Sequence, residues 1–336
     1  MKTGSRITTL VAAALAVAGA TVVAQSGRDP LPSWNDTAAK KAILDFVAKV
    51  TKEGSPDFVK PEDRIATFDN DGTLWVEQPI YTQVTFAIDE VVAMAPQHPE
   101  WREKEPFKSI LAHDREAMLN FSIQDFEKVV AITHSGMTVQ QFRDTVKKWL
   151  AEAKQPRFKR LYTECIYQPM LELMQCLRDN KFKVYIVTGG GQEFVRAFAG
   201  PTYGVPPEQV VGSMGKVKYE YNKEGSPELI KLPEVLLIDD KTGKPEGINM
   251  VIGRRPQAAF GNSTGDQQML EYTGAGDGAR LMMLVHHDDA KREYAYGVGS
   301  KIGTFSDALM AEAKKKGWIV ISMKEDWKTI FPPAKP

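Results

Sequence analysis

Cysteine is scarce in this chain: two residues, Cys165 and Cys176, among 336. So few exclude a disulfide-built scaffold and any cysteine-rich metal module. The pair lies 11 residues apart, around a helix that Pro169 is expected to open. Helical spacing separates them by about 16 Å, far beyond disulfide reach. Two free, buried thiols are expected, and no catalytic cysteine. Net charge is also missing, because 43 Lys and Arg balance 43 Asp and Glu. That balance leaves no electrostatic footprint for nucleic acid, and no nucleic-acid motif stands out. Internal repeats and low-complexity tracts are absent too. What is present is a chain long enough, at 43% hydrophobic, to bury a substantial core as one elaborated domain or two.

The N-terminus reads as an address. Lys2 and Arg6 precede an alanine-rich apolar stretch, Ile7 to Val23, that ends in Val22-Val23-Ala24. This is the pattern of a secretory signal peptide, residues 1–24, with cleavage expected after Ala24 and Ala20 as the alternative. The apolar core is short for a stable membrane span. Residues 25–33 read as a linker. The mature protein is expected to be periplasmic or secreted, without a membrane segment.

Chemistry concentrates in RIATFDNDGTLW, Arg64 to Trp75. The run Ile65-Ala66-Thr67-Phe68 has strand character and stops at Asp69-Asn70-Asp71-Gly72-Thr73. In extended backbone, side chains two apart point the same way, so Asp69 and Asp71 converge. Two carboxylates about 4 Å apart repel by about 4 kcal/mol at an effective dielectric near 20, which calls for a cation or a shared proton. A solvated turn after a strand is the plain alternative.

DxDGT at a strand end resembles the first motif of the haloacid dehalogenase superfamily, in its phosphatase branch. The later motifs have candidates in order: the strand Lys183 to Val187 ending in Thr188 before Gly189-Gly190-Gly191, Lys244 in a GKP context with Lys241 in reserve, and Ala258-Ala259-Phe260 leading into GNSTGDQQML. The resemblance spans about Arg64 to Val285 and is close to phosphoserine-phosphatase-like exported members. It implies an α/β fold, a Rossmann-like parallel-sheet core of residues 34–78 and 169–336, with a helical cap, residues 79–168, inserted after the first motif. It also implies a Mg²⁺-dependent phosphomonoester hydrolase acting on a small phosphorylated metabolite, phosphoserine-like among the options. Asp69 would be the nucleophile and Asp71 the general acid and base. Thr188, Gly189 and Lys244 would hold the phosphoryl oxygens. Asp69, the Asp71 carbonyl, Asn262 and Asp266 would hold the metal, with Asp239 or Asp240 next in line. Asn262 stands where relatives place an aspartate, which leaves the site one negative charge short and predicts modest Mg²⁺ affinity. The rival readings are a dehalogenase, which lacks an acid at the place of Asp71, a phosphomutase, and a periplasmic binding protein without turnover.

Elsewhere the pattern is helical and strand-like by turns. A helix is expected over Ala38 to Val50. In the cap, stripes run through Val84, Ile88, Val91, Val92 and Ala95, through Phe107, Ile110 and Leu111, and through Ile123, Phe126 and Val130. Thr138-x-x-Gln141 looks like a capping box opening a helix whose Val139, Phe142, Val146 and Trp149 face inward. A helix is expected over Gln192 to Ala199, a small strand hairpin insertion over residues 210–240, strands over Leu281 to Val285 and Trp318 to Ile321, and a helix over Ser306 to Lys316. Glu77 is a candidate substrate contact, weighed against a salt-bridged hinge. His286 and His287 are adjacent on a strand and point to opposite faces, which favours hydrogen-bonding roles over a shared ion. His134 either faces the site or ends a helix. Arg254 and Arg255 read as a solvated turn or a phosphate contact.

Overall fold

The computed structural model describes residues 29–333. The expected signal peptide, residues 1–24, and the start of the expected linker lie outside the described residues. Seven strands form one sheet: β1 (Ile65–Phe68), β2 (Lys183–Gly191), β3 (Val210–Tyr221), β4 (Pro227–Leu237), β5 (Ala258–Gly261), β6 (Leu281–His286) and β7 (Ile319–Ser322). Their spatial order is β4-β3-β2-β1-β5-β6-β7. All neighbours are parallel except β3 and β4. The short apolar runs explain this arrangement. Parallel strands are covered on both faces, so they lack an alternating polar side. Phe68, Ile186, Phe260 and Met283 feed one buried cluster, and Val187, Ala259 and Leu284 feed another.

The described end of the expected linker is docked on the core. Leu31 is fully buried, and the Ser33 hydroxyl donates to Glu172 Oε1 at 2.7 Å. Residues 29–33 therefore belong to the folded body, because Leu31 has apolar surface to hide. Helix α1 (Ala38–Thr51) buries Ile43, Phe46, Val47 and Val50, three or four residues apart on one face.

The chain leaves the core after β1 and builds α2 (Thr82–Met94), α3 (Phe107–Leu111), α4 (Arg115–Leu119), α5 (Ile123–His134) and α6 (Val139–Leu150). The short α4 has no counterpart in the sequence reading. The capping box at α6 is present: Gln141 N–H donates to Thr138 Oγ1 at 3.0 Å, and Thr138 N–H to Gln141 Oε1 at 2.9 Å. In α2 the buried face is Phe86, Ala87 and Val91, whereas Val92, expected inside, is 40% exposed. The chain re-enters where it left. Trp75 and Ile166 form an antiparallel bridge, Val76 N–H donates to Cys165 O at 3.1 Å, and Tyr167 N–H donates to Leu74 O at 2.8 Å.

After the cap come α7 (Gln168–Asp179), α8 (Gln192–Arg196), α9 (Ala199–Tyr203), α10 (Gly243–Gly247), α11 (Gln267–Gly274) and α12 (Asp307–Lys316). The helix expected over Gln192 to Ala199 is broken in two, because Phe198 leaves helical geometry to stack on Trp75 at 4.6 Å. Both cysteines are free and buried. The hairpin expected as a small insertion is larger and is partly core. Buried Val210 and Val211 pair with Ile186 and Val187 of β2, and only the charged, exposed remainder projects away. That projecting part reaches the cap, where Gly136 N–H donates to Lys231 O at 2.9 Å. Among the described residues, no helix is long and apolar enough to cross a membrane.

Candidate active site

Open parallel sheets bind ligands beyond the carboxyl ends of their strands. Here β1, β2 and β5 deliver Asp69, Thr188 and the segment after Gly261 to the same edge. Asp69 sits one residue past β1, and its N–H donates to Phe260 O at 2.9 Å. The chain then turns tightly: the Asn70 carbonyl accepts from the Leu74 N–H at 2.8 Å. Gly72 makes the turn possible. Its φ is +75°, and a Cβ there would lie 2.1 Å from Asn262 Nδ2 and 2.3 Å from Glu77 Oε1.

Lys244 is the hub. It is buried, and its Nζ donates to Asp69 Oδ1 at 2.6 Å and to Val187 O at 2.7 Å, with Asp266 Oδ1 2.9 Å away. Burial disfavours its charge, but Asp266, Asp69 and Asp239 together hold the ammonium well above its ordinary range. Two of its donors are taken by Asp69 and Val187, while Asp266 Oδ1 stands beside it as an ion-pair partner that accepts no hydrogen bond. Lys244 therefore neutralises and aims Asp69. Lys241, the reserve candidate, is exposed and lies outside this cluster.

Burial and the neighbouring Asp266 push the Asp69 carboxyl well up, against the pull of Lys244. Burial also raises Asp71, although its Oδ1 accepts from Trp75 Nε1 at 2.8 Å. An upward shift favours the protonated form, which is the form a proton donor needs. Thr188 is buried, and its Oγ1 accepts from Gly190 N–H at 3.1 Å, which leaves the hydroxyl proton for an anion. Gly189 also lines the cavity. The Gly191 N–H is taken by a cap side chain, Gln83 Oε1, at 2.7 Å.

The metal expectation fares unevenly. Asp266 is buried with Oδ2 fixed by the Asn262 and Ser263 N–H groups at 2.9 and 3.0 Å, so Oδ1 faces Lys244. Asn262 does not line the cavity. Its Nδ2 donates to Glu77 Oε1 at 2.7 Å and its Oδ1 accepts from Thr73 Oγ1 at 3.2 Å, so its amide is engaged at both ends. Among the described residues, no three His, Cys, Asp or Glu side chains are arranged to hold a metal. Asp69, Asp71 and Asp266 nevertheless crowd hard oxygen donors around a single lysine, and that donor chemistry fits Mg²⁺. Asp239, fully buried nearby, is pushed up to about 7 by burial, and Asp240 lines the cavity.

Glu77 is buried and lines the cavity, and hydrogen bonds rather than an ion pair hold its Oε1. Its Oε1 also accepts from Tyr296 OH at 2.6 Å, and burial pushes its carboxyl well up. Gly303 closes over it, where a Cβ would lie 1.8 Å from Glu77 Oε1. Sequence reading missed Tyr296 and Gly303. They come from the loop after β6, and nothing near them marks a partner more than 200 residues away. His287 supports the same turn: its Nε2 lies 2.7 Å from Gly72 O and its Nδ1 3.0 Å from Glu293 Oε2. It has a hydrogen-bonding role, as expected of the adjacent histidines.

His134 faces the cavity and is neutral, its imidazole pushed down to about 3 by burial. Thr133 Oγ1 donates to Val129 O at 2.8 Å and lies 2.7 Å from His134 Nδ1. Nδ1 therefore carries the ring proton, and Nε2 accepts from Gln83 Nε2 at 3.0 Å. Arg254 pairs with Asp63 and Arg255 stacks on Tyr272, so both lie away from the site. Burial pushes the Cys165 and Cys176 thiols up to about 12 and about 11, so neither is a nucleophile.

Residues 66–271 match the family of haloacid dehalogenase-like hydrolases. The crystal structure of a conserved, functionally unknown protein from Anaerococcus prevotii aligns over 87% of this chain and 94% of its own, at 18% identity and a TM-score of 0.55. A protein of unknown function from Bordetella pertussis aligns over 77% and 97%, at 15% identity and a TM-score of 0.47. A phosphoserine phosphohydrolase-like protein from Francisella tularensis aligns over 78% and 97%, at 17% identity and a TM-score of 0.39. The first of these likenesses, at 18% identity, speaks for the fold alone. No curated protein matches the sequence.

Proposed function

The chain belongs to the haloacid dehalogenase-like hydrolases, and on that premise we propose that it is an exported phosphomonoester hydrolase working through an aspartyl-phosphate. The observation that carries this reading is Lys244, buried between Asp69 and Asp266 in the cavity that Thr188 also lines. A cation so placed suits an incoming dianion and a carboxylate nucleophile better than a haloacid. Asp71 adds the acid that an alkoxide leaving group needs and a halide does not.

Asp69 attacks phosphorus, the ester P–O bond breaks, and the departing alcohol oxygen takes the proton of Asp71. Water then attacks the aspartyl-phosphate and gives its proton to Asp71, and phosphate leaves with Asp69 restored. Asp69, the Asp71 carbonyl and Asp266 would hold Mg²⁺, which supplies positive charge for the phosphoryl oxygens. The expected leader at residues 1–24 supports the exported location.

Two variants test the reading with p-nitrophenyl phosphate and Mg²⁺. Asp69→Asn abolishes phosphate release while the circular dichroism spectrum is kept. Asp71→Asn slows breakdown of the intermediate, so acid-quenched labelling with a ³²P-phosphorylated substrate finds phosphoenzyme. Wild-type turnover by Asp69→Asn would remove the covalent mechanism.

A further inference from the structure

The catalytic carboxylates form one end of a cavity of about 540 Å³ that also contains Thr188, Lys244 and Asp266. A cavity of that size buries a ligand far larger than a phosphate group. Beyond the catalytic end its walls are hydrocarbon: Val84 and Ile88 from α2, Ile110 from α3, Val129 from α5 and Leu232 from β4. Its mouth is apolar as well. Val130, Val235 and Ile238 line it and are 42%, 58% and 67% exposed. Apolar side chains left in water beside a cavity mark a surface that something apolar covers.

The charged groups do not offset this. Among the described residues, no arginine lines the cavity. Lys244 is committed to Asp69 and Asp266, and the Lys231 ammonium lies 4.5 Å from the centre of the Phe142 ring. His134 is engaged by Gln83 and Thr133, and Glu77 by Asn262 and Tyr296. Glu234 is exposed at the rim. A phosphorylated amino acid brings an α-carboxylate and an α-ammonium, and burying them without partners is costly. Apart from Lys231 and Asp240, the described charged side chains that line the cavity are already paired or stand at the rim.

Resting on the phosphomonoesterase reading, we infer that the substrate is the phosphate monoester of a bulky apolar alcohol, whose hydrocarbon lies against the cap and the β3–β4 hairpin. The chemistry is plain hydrolysis: water and ester give the alcohol and phosphate. Val84 and Ile88 act as specificity residues, which explains why they are only partly buried although they belong to the apolar stripe of α2.

The test is kcat/KM with Mg²⁺ for monoalkyl phosphates from ethyl to octyl, kept below micelle formation, beside O-phosphoserine and p-nitrophenyl phosphate. Each methylene taken from water raises kcat/KM about threefold to fourfold until the cavity is filled. O-phosphoserine is the poorest substrate. Val235→Asp, at an exposed position that puts little of the fold at risk, flattens the rise, and Val235→Leu preserves it. A series that is flat or falls with length, with O-phosphoserine preferred, overturns the apolar-substrate inference and leaves the phosphatase reading standing. Failure to hydrolyse any ester, p-nitrophenyl phosphate included, overturns both.

Discussion

Asn262 shows how one atom's partner can change what a substitution does. By sequence it takes the place of a metal-binding aspartate, and restoring the aspartate would add charge for Mg²⁺. In the structure its Nδ2 donates to Glu77, and Asn262→Asp would set two buried carboxyl groups against each other. The variant is expected to lose on the order of 2 kcal/mol at pH 8, and less at acid pH, where a shared proton relieves the repulsion. Adding Glu77→Gln restores the lost stability. Urea denaturation of the wild type and the two variants decides, and a fully stable Asn262→Asp would sink the argument. Asp239 carries a second residue-scale prediction. Its carboxyl is pushed up to about 7 from an ordinary 3.8. Between those values the folded state keeps a proton that the unfolded state has lost, so stability falls as pH rises through the window. Asp239→Asn, which imitates the protonated acid, should be more stable than wild type by on the order of 3 kcal/mol at pH 8 with EDTA present. Its advantage should vanish near pH 4. Melting curves across that range test the sign.

At the level of elements, β1, β2 and β5 are legible because each is a short apolar run closed by polar or glycine residues. The nucleophile turn, Thr188 and Lys244 are legible because they follow those runs in a fixed order. Two things are not legible. Half-burial is one: Val130 falls on an apolar stripe yet is exposed, since a stripe that borders a cavity looks the same as one that borders a core. Long-range clamping is the other, and Tyr296 over Glu77 is the example. The α6 capping box was readable, and it yields a prediction. Thr138→Ala removes the acceptor of the Gln141 N–H and is expected to cost about 1 kcal/mol. Thr138 also bridges Ile230 of β4, so amide exchange should quicken in both α6 and the hairpin. Quickening confined to α6 would show that the cap and hairpin are not coupled there.

On the scale of the whole molecule, the two ends of the described chain are stitched together. Lys328 N–H donates to Ser33 O and Asn35 N–H to Asp326 O, both at 2.8 Å. Trp34, fully buried, meets Trp327 edge to face at 6.0 Å and donates its indole N–H to Pro169 O at 2.9 Å. Trp34→Ala leaves a large void and an unpaired carbonyl, and a loss of about 3–5 kcal/mol is expected by urea denaturation, with Trp34→Phe milder. A loss below about 1 kcal/mol would mean that this segment merely lies on the surface.

The cap enters and leaves the core through one narrow seam, where Trp75 pairs with Ile166. Because the chain departs and returns at neighbouring points, whatever lies between them can lengthen, shorten or be exchanged without altering the order of the strands or the spacing of Asp69, Thr188, Lys244 and Asp266. Inheritance can therefore act on the two halves separately. The floor is held still by its chemistry, while the ninety or so residues above it are free to be rewritten for a new leaving group.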